Sequence, residues 1–248
     1  MAQQPGLEQK ERIAEPLVLV PGLMSDARIF SDQIVAFGGE RAVHLAPICD
    51  GLSIGDMARR VLETAPARFA VMGQGLGALV AMDMLRIDPA RVTRIAMVTC
   101  SPLAETPQEA ATREDRIVSA KAGLFDQVAR AEVPDTALAP GTNVARVHRS
   151  LELMLRTVGS ERFLRQSRAM QRRPDMQKVL RRMRAPALVL SGAHDTIIPP
   201  RRHEFMAELI PHAEYKVLEN AGHMPLLESP AEVTAALKPW LCAPFRLV

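Results

Sequence analysis

Short apolar runs alternate along the chain with longer stretches in which apolar positions recur at helical spacing. Leu17–Val20, Val43–Ile48, Phe69–Met72, Ile95–Thr99, Ala187–Leu190 and Tyr215–Leu218 read as strands. They are continuous apolar runs and not alternating ones, the pattern of parallel strands covered on both faces. Between them, Ile29–Phe37, Ser53–Thr64, Leu76–Ile87, Arg202–Leu209 and Ala231–Leu241 carry helical periodicity. A β-α-β-α succession of this kind predicts an α/β protein built on a doubly wound, mostly parallel sheet.

The succession breaks between Pro102 and Arg184, where the pattern contains no strand. Helices are predicted instead over Glu109–Arg130, Asn143–Val158, Glu161–Arg172 and Asp175–Met183, punctuated by Gly141, Gly159 and Pro174. The expected organisation is an α/β core of residues 1–101 and 185–248 with a helical lid, residues 102–184, inserted between two strands.

Composition narrows the class. The 248 residues suit one α/β domain with an insertion, and 48% hydrophobic with 24% charged residues is ordinary for a soluble globular chain. No apolar run approaches the ~20 residues of a membrane span, and the polar start lacks the apolar stretch of a secretory signal. The scattered Cys49, Cys100 and Cys242 read as free thiols in a reducing cytoplasm. A net charge of +3 is too weak and dispersed to argue for nucleic acid. The six histidines show no metal-ligand spacing, and no phosphate loop is present, so neither metal nor cofactor is expected.

The stretch RFAVMGQGLGALVAMDML, residues 68–85, carries the most chemistry. As a dinucleotide fingerprint, Gly73, Gly75 and Ala78 match the spacing. The pattern follows the third strand, however, and the region where the ribose-binding acid should lie reads RIAMVTCSP. As a nucleophile elbow, G-x-S-x-G, the layout fits strand-to-helix, with Gly75 where the serine would stand. A turn without chemistry is the third reading, and the rest of the chain weighs against it. An elbow should be followed by an acid and then a histidine. ALVLSGAHDTIIPP offers Asp195 and KVLENAGHMPLLESP offers His223, each in a loop just past a strand. Backbone donors for an oxyanion would come from Leu76, after the elbow tip, and from Leu23 in the Pro21-Gly22-Leu23-Met24 loop after the first strand.

With Pro21-Gly22, Gly73-Gln74-Gly75-Leu76-Gly77, Asp195 with Pro199, and Gly222-His223 with Glu228 and Pro230, the chain resembles the α/β-hydrolase superfamily. It is most similar to the small lidded bacterial esterases, the group of pimeloyl-carrier-protein methyl esterases and enol-lactone hydrolases. The resemblance runs from about Pro16 to the end. It departs at Pro21, where a histidine is usual, and at Gly75.

The resemblance implies a cofactor-free hydrolase of small carboxylic esters with position 75 as the nucleophile position, Asp195 and His223 as its partners, and Leu23 and Leu76 as the oxyanion hole. Glycine at the tip keeps the fold and removes the attacking oxygen, so this chain is expected to be inactive or strongly impaired. Two other readings stay open: a ligand-binding protein on the same fold, and an enzyme using His223 as a general base without a covalent intermediate, such as a lyase or cofactor-free oxygenase. Cys100, Ser25 and Ser101 lie near strand ends, but none sits on a glycine-flanked elbow.

The lid is rich in Met and Leu, some of which should line an apolar acyl pocket. Arg165, Arg168 and Arg172 fall on one helical face, with Arg181, Arg182 and Arg184 beyond. They form either a solvated face or a landing patch for an acidic carrier protein or a carboxylate-bearing substrate.

Overall fold

The central apolar runs become the middle of a six-stranded, wholly parallel sheet, ordered β2-β1-β3-β4-β5-β6. The structure, a computed structural model, describes residues 14–46, 48 and 50–243. The strands are β1 Leu17–Val20, β2 Val43–Leu45, β3 Phe69–Gln74, β4 Val92–Val98, β5 Ala187–Gly192 and β6 Glu214–Leu218. β1, β3, β4 and β5 are buried along their whole length. Successive side chains point to opposite faces, so Leu17, Leu19 and Met72 join one core cluster while Val18, Val20 and Val71 join the other. Each fully buried side chain of this kind contributes about 1.5–3 kcal/mol of transfer free energy.

The edge strands correct the sequence reading. β2 ends at Leu45, short of the predicted Ile48, and its exposed Leu45 shows why a run of apolar residues need not be covered on both faces. Pro47, inside the predicted strand, and Cys49 lie outside the described residues. β6 is likewise exposed at its start.

The core helices are α1 Ser31–Phe37, α2 Ile54–Thr64, α3 Leu76–Ile87, α8 Pro200–Glu208, α9 Pro225–Glu228 and α10 Pro230–Cys242. A short 3-10 turn, Ala27–Phe30, replaces the first part of the predicted Ile29–Phe37 helix. α2 begins where predicted because the Ser53 side chain accepts from the Asp56 N–H and caps it. α3 is buried on all sides between the sheet and its neighbours.

Among the described residues, 102–184 hold helices and no strand: α4 Pro107–Ser119, α5 Phe125–Ala131, α6 Val144–Gln171 and α7 Gln177–Arg181. A Thr106–Glu109 capping box starts α4. The predicted Glu109–Arg130 helix is interrupted at Gly123, with φ 95°. α6 is broken by a kink at Gly159, with φ 77° and ψ 164°, where the sequence predicts the boundary between two helices. The ends of the block are tied together by the Met176 N–H donating to the Pro102 carbonyl at 2.8 Å. α7 is shorter than the predicted Asp175–Met183, and its flanking Met176 and Met183 are buried in the core cluster that includes α3. No helix among the described residues is long and apolar enough to cross a membrane.

Candidate active site

The order β2-β1-β3 places the loops after β1 and β3 on either side of the point where chain direction across the sheet reverses. In open α/β sheets this crevice, at the carboxyl ends of the strands, is where ligands bind. A cavity of about 330 Å³ lies there. Gly22, Leu23, Gly75, Leu76, Thr99 and His223 are among its lining residues.

The three glycines of the elbow have different reasons. A Cβ at Gly73 would stand 2.3 Å from the Gly77 carbonyl oxygen, and one at Gly77 would stand 2.1 Å from that of Val20. Both positions are closed to any side chain, because strand and helix backbones meet there. Gly75 is different. Its Cβ would meet only the Thr99 carbonyl oxygen, at 3.9 Å, so there is room for a side chain. Its backbone, at φ 52° and ψ −115°, is one that residues with a Cβ adopt under strain. The Gly75 N–H donates to the Val98 carbonyl at 2.9 Å, and its carbonyl receives Ala78 and Leu79 at the opening of α3.

Asp195 is buried in the loop after β5. Its Oδ1 accepts from the N–H groups of Ile197 and Ile198, both at 2.9 Å. Its Oδ2 faces His223 Nδ1 at 2.9 Å. A carboxylate only accepts, so the ring donates from Nδ1 and keeps Nε2 as a base. His223 is itself fixed through its main chain. Its N–H donates to the Ala137 carbonyl at 2.7 Å. Glu228 then gathers the N–H groups of Gly222 at 3.0 Å, Met224 at 2.8 Å and Ala139 at 2.7 Å, with the Thr142 hydroxyl at 3.1 Å. The glutamate of the G-H-x-x-x-x-E-x-P pattern therefore clamps the histidine loop to residues 137–142.

Leu23 and Leu76 both line the cavity, and neither backbone N–H donates to an acceptor among the described residues. Leu76 opens α3, where the first N–H groups have no partner inside the helix and the helix dipole favours negative charge. The Leu23 turn is held by Ser25 N–H to the Gly22 carbonyl at 3.2 Å and by Met24 N–H to Gln166 Oε1 at 3.1 Å.

The other candidate nucleophiles are poorly placed for attack. Cys100 is buried, its thiol lies 3.9 Å from the Met206 sulfur, and burial pushes its pKa up to about 12. Ser25 donates to the Leu23 carbonyl at 3.3 Å, and Ser101 accepts from the Leu103 N–H at 3.4 Å; both line the cavity. Among the described residues no three His, Cys, Asp or Glu side chains gather as metal ligands.

The cavity has an apolar lining to which the lid contributes in part, with Leu23, Leu76, Leu79, Ile198 and Met224 coming from the core. Of the lid Met and Leu residues, Leu151 and Met170 reach the cavity, while Met154, Met176, Leu180 and Met183 are packed in the core. The cavity wall toward α4 is instead charged, and Glu105, Arg113 and Arg173 on it were not singled out from the sequence. The signal was present: Glu109, Arg113 and Arg116 recur at helical spacing on one face. The arginines that were singled out lie elsewhere. Arg168 pairs with Glu114, and Arg165 lies 3.6 Å from Asp50 and 3.7 Å from Glu161.

Several solved structures share this fold over nearly the whole chain. An esterase from Thermogutta terrifontis, solved with malate bound, is 24% identical, with 92% of this chain and 89% of that one covered and a TM-score of 0.82. The enol-lactonase from Burkholderia xenovorans is 20% identical over 95% and 94%, with a TM-score of 0.78. MenH from S. aureus is 17% identical over 95% and 96%, with a TM-score of 0.76. A family model matches residues 17–237, and with it the chain belongs to the alpha/beta hydrolase family.

Proposed function

We propose that this protein carries the site of a hydrolase of small carboxylic esters, with position 75 as the nucleophile position, and that glycine there leaves the chain without a covalent nucleophile. The observation that carries the reading is the backbone of Gly75, strained for any other residue yet with open space where a side chain would project. Gly75 lines the same cavity as His223. A serine hydroxyl at that position would give its proton to His223 Nε2, with Asp195 holding the ring. The N–H groups of Leu23 and Leu76 would receive the charge on the carbonyl oxygen. The chemistry would draw on side chains and backbone alone, with a small-molecule ester as the partner. In this reading residues 102–184 act as the lid.

A second reading has one observation in its favour. With Nδ1 committed to Asp195, His223 retains a basic nitrogen at a cavity where a bound water needs no serine to be activated. That route gives slow, burst-free turnover in the chain as it stands.

The test is Gly75→Ser assayed with p-nitrophenyl acetate. Losing a triad serine costs ~10⁶ in turnover, so restoring it is expected to raise the rate by several orders of magnitude, with a burst of acyl-enzyme. A folded Gly75→Ser variant with no gain refutes the nucleophile position. Equal burst-free rates in both chains assign the reaction to His223 and water.

A further inference from the structure

The wall of the cavity toward α4 carries charge that the proposed hydrolysis does not use. Three carboxylates, Glu105, Glu109 and Glu132, share it with four guanidinium groups. Two of these pair one to one: Arg116 with Glu132 at 3.1 Å and Arg202 with Glu109 at 3.4 Å. The remaining arrangement is two against one. Glu105 Oε1 accepts from Arg113 Nε at 2.6 Å and from Arg173 Nη1 at 2.7 Å. Arg173 is further fixed by donating to the Leu103 carbonyl at 2.8 Å.

This trio is largely withdrawn from water, with side-chain exposures of 2% for Glu105, 8% for Arg173 and 14% for Arg113. A surplus cation in such a place is costly unless something neutralises it. Burial lowers the pKa of Arg173 despite the opposing pull of Glu105, which marks the same cost. Arg113 Nη1 is buried and has no hydrogen-bond partner among the described residues. The Arg113 side chain still reaches the cavity, and a guanidinium there with spare charge and an unpartnered N–H behind its exposed edge calls for an anion. Glu105 Oε2 and Glu132 Oε1 also lack partners, and they repel an anion that misses Arg113. Position as well as charge is therefore selected. Arg173 is also close enough to act electrostatically on the Cys100 thiol, which links the trio to the end of β4 beside Gly75.

We propose that the cavity takes esters carrying a carboxylate away from the scissile bond, with Arg113 binding that carboxylate and Glu105 and Arg173 positioning its guanidinium. The proposal rests on this cavity being the reaction site, but its test requires no turnover.

Binding to the full chain, Gly75 included, is measured by isothermal titration calorimetry. The probes are the monomethyl esters of succinate, glutarate and adipate, each against its dimethyl ester. At least one monoester is expected to bind about tenfold or more tightly than its diester, the worth of one hydrogen bond to a charged group. Arg113→Gln should bring that ratio to about one while diester affinity stays within about twofold. Arg113→Lys, which keeps the charge, should retain part of the preference. Equal affinities in all three pairs overturn the proposal, as does the absence of binding by every ester. A folded Arg113→Gln variant that keeps the preference overturns it too. If neither variant folds, the ligand pairs on the parent chain still decide. The Gly75→Ser assay uses a neutral ester, so hydrolysis without anion preference and anion preference without hydrolysis are separate outcomes.

Discussion

Replacing Glu228 tests how the histidine loop is held. The carboxylate accepts four hydrogen bonds, three of them at Oε2, from Ala139, Thr142 and Gly222, and one at Oε1, from Met224. Hydrogen bonds to a charged group contribute about 1.5–3 kcal/mol each, but they do not add fully where water can replace them. Glu228 is partly exposed, so Glu228→Ala is expected to destabilise by about 3–4 kcal/mol, below the simple sum. Glu228→Gln separates the two oxygens. Its amide oxygen should turn to the three-donor side, leaving the amide N–H₂ against the Met224 N–H at a cost of about 1–2 kcal/mol. Urea denaturation gives the free energies. Thermal melts should show a loss of about 6–16 °C for the alanine variant, at roughly 2–4 °C per kcal/mol for a chain of this size. An alanine variant within about 1 kcal/mol of the parent would show that solvent supplies these bonds equally well. A glutamine variant as damaged as alanine would show that charge, and not the count of acceptors, holds the loop.

Three other outcomes are expected. In thermal melts, Gly75→Ala should lose about 1–3 kcal/mol from backbone strain alone, whereas Gly73→Ala and Gly77→Ala should lose more or fail to fold, since each added methyl meets backbone oxygen; equal losses at the three sites would refute the assignment of roles. Cys100 should resist Ellman's reagent in the folded chain while the exposed Cys242 reacts, as mass spectrometry of the labelled peptides would read. Burial lowers the pKa of His203 from 6.5 to about 4, against the pull of Asp195. The unfolded chain therefore binds the proton first, and stability should fall by about 3 kcal/mol as pH drops from 6.5 to 4. Denaturation across that range with His203→Leu should show a shallower slope; an unchanged slope would place the acid sensitivity in other groups.

Strands buried on both faces were legible because their continuous apolar runs are short, end in loops and alternate with segments of helical periodicity. β1, β3, β4 and β5 lie where the runs predict, give or take two or three residues. The edge strands were harder because they face solvent in part, and Ala46 and Ile48, past Leu45, are buried in the core cluster that holds residues of α2. The helix break at Gly123 has a different cause. Periodicity records which face is buried, not whether the axis is continuous, and a positive-φ glycine bends a helix without disturbing the pattern.

The candidate site divides along the same line. Gly75, Asp195 and His223 each sit in a loop just past a strand, and the sheet's parallel order alone brings such loops to one edge. Local pattern therefore sufficed to assemble them. The Arg113, Glu105 and Arg173 trio is assembled by tertiary packing between residues up to 68 positions apart, and no local period encodes that. Arg165 and Arg168, clustered along the chain and read from it as a solvated face or a landing patch, pair with Asp50, Glu161 and Glu114. The arginines that reach the cavity are the ones drawn inward by a shared carboxylate. In this fold the residues gathered at the strand ends are written locally, while the charged groups on the cavity wall are written in how the helices of residues 102–184 pack.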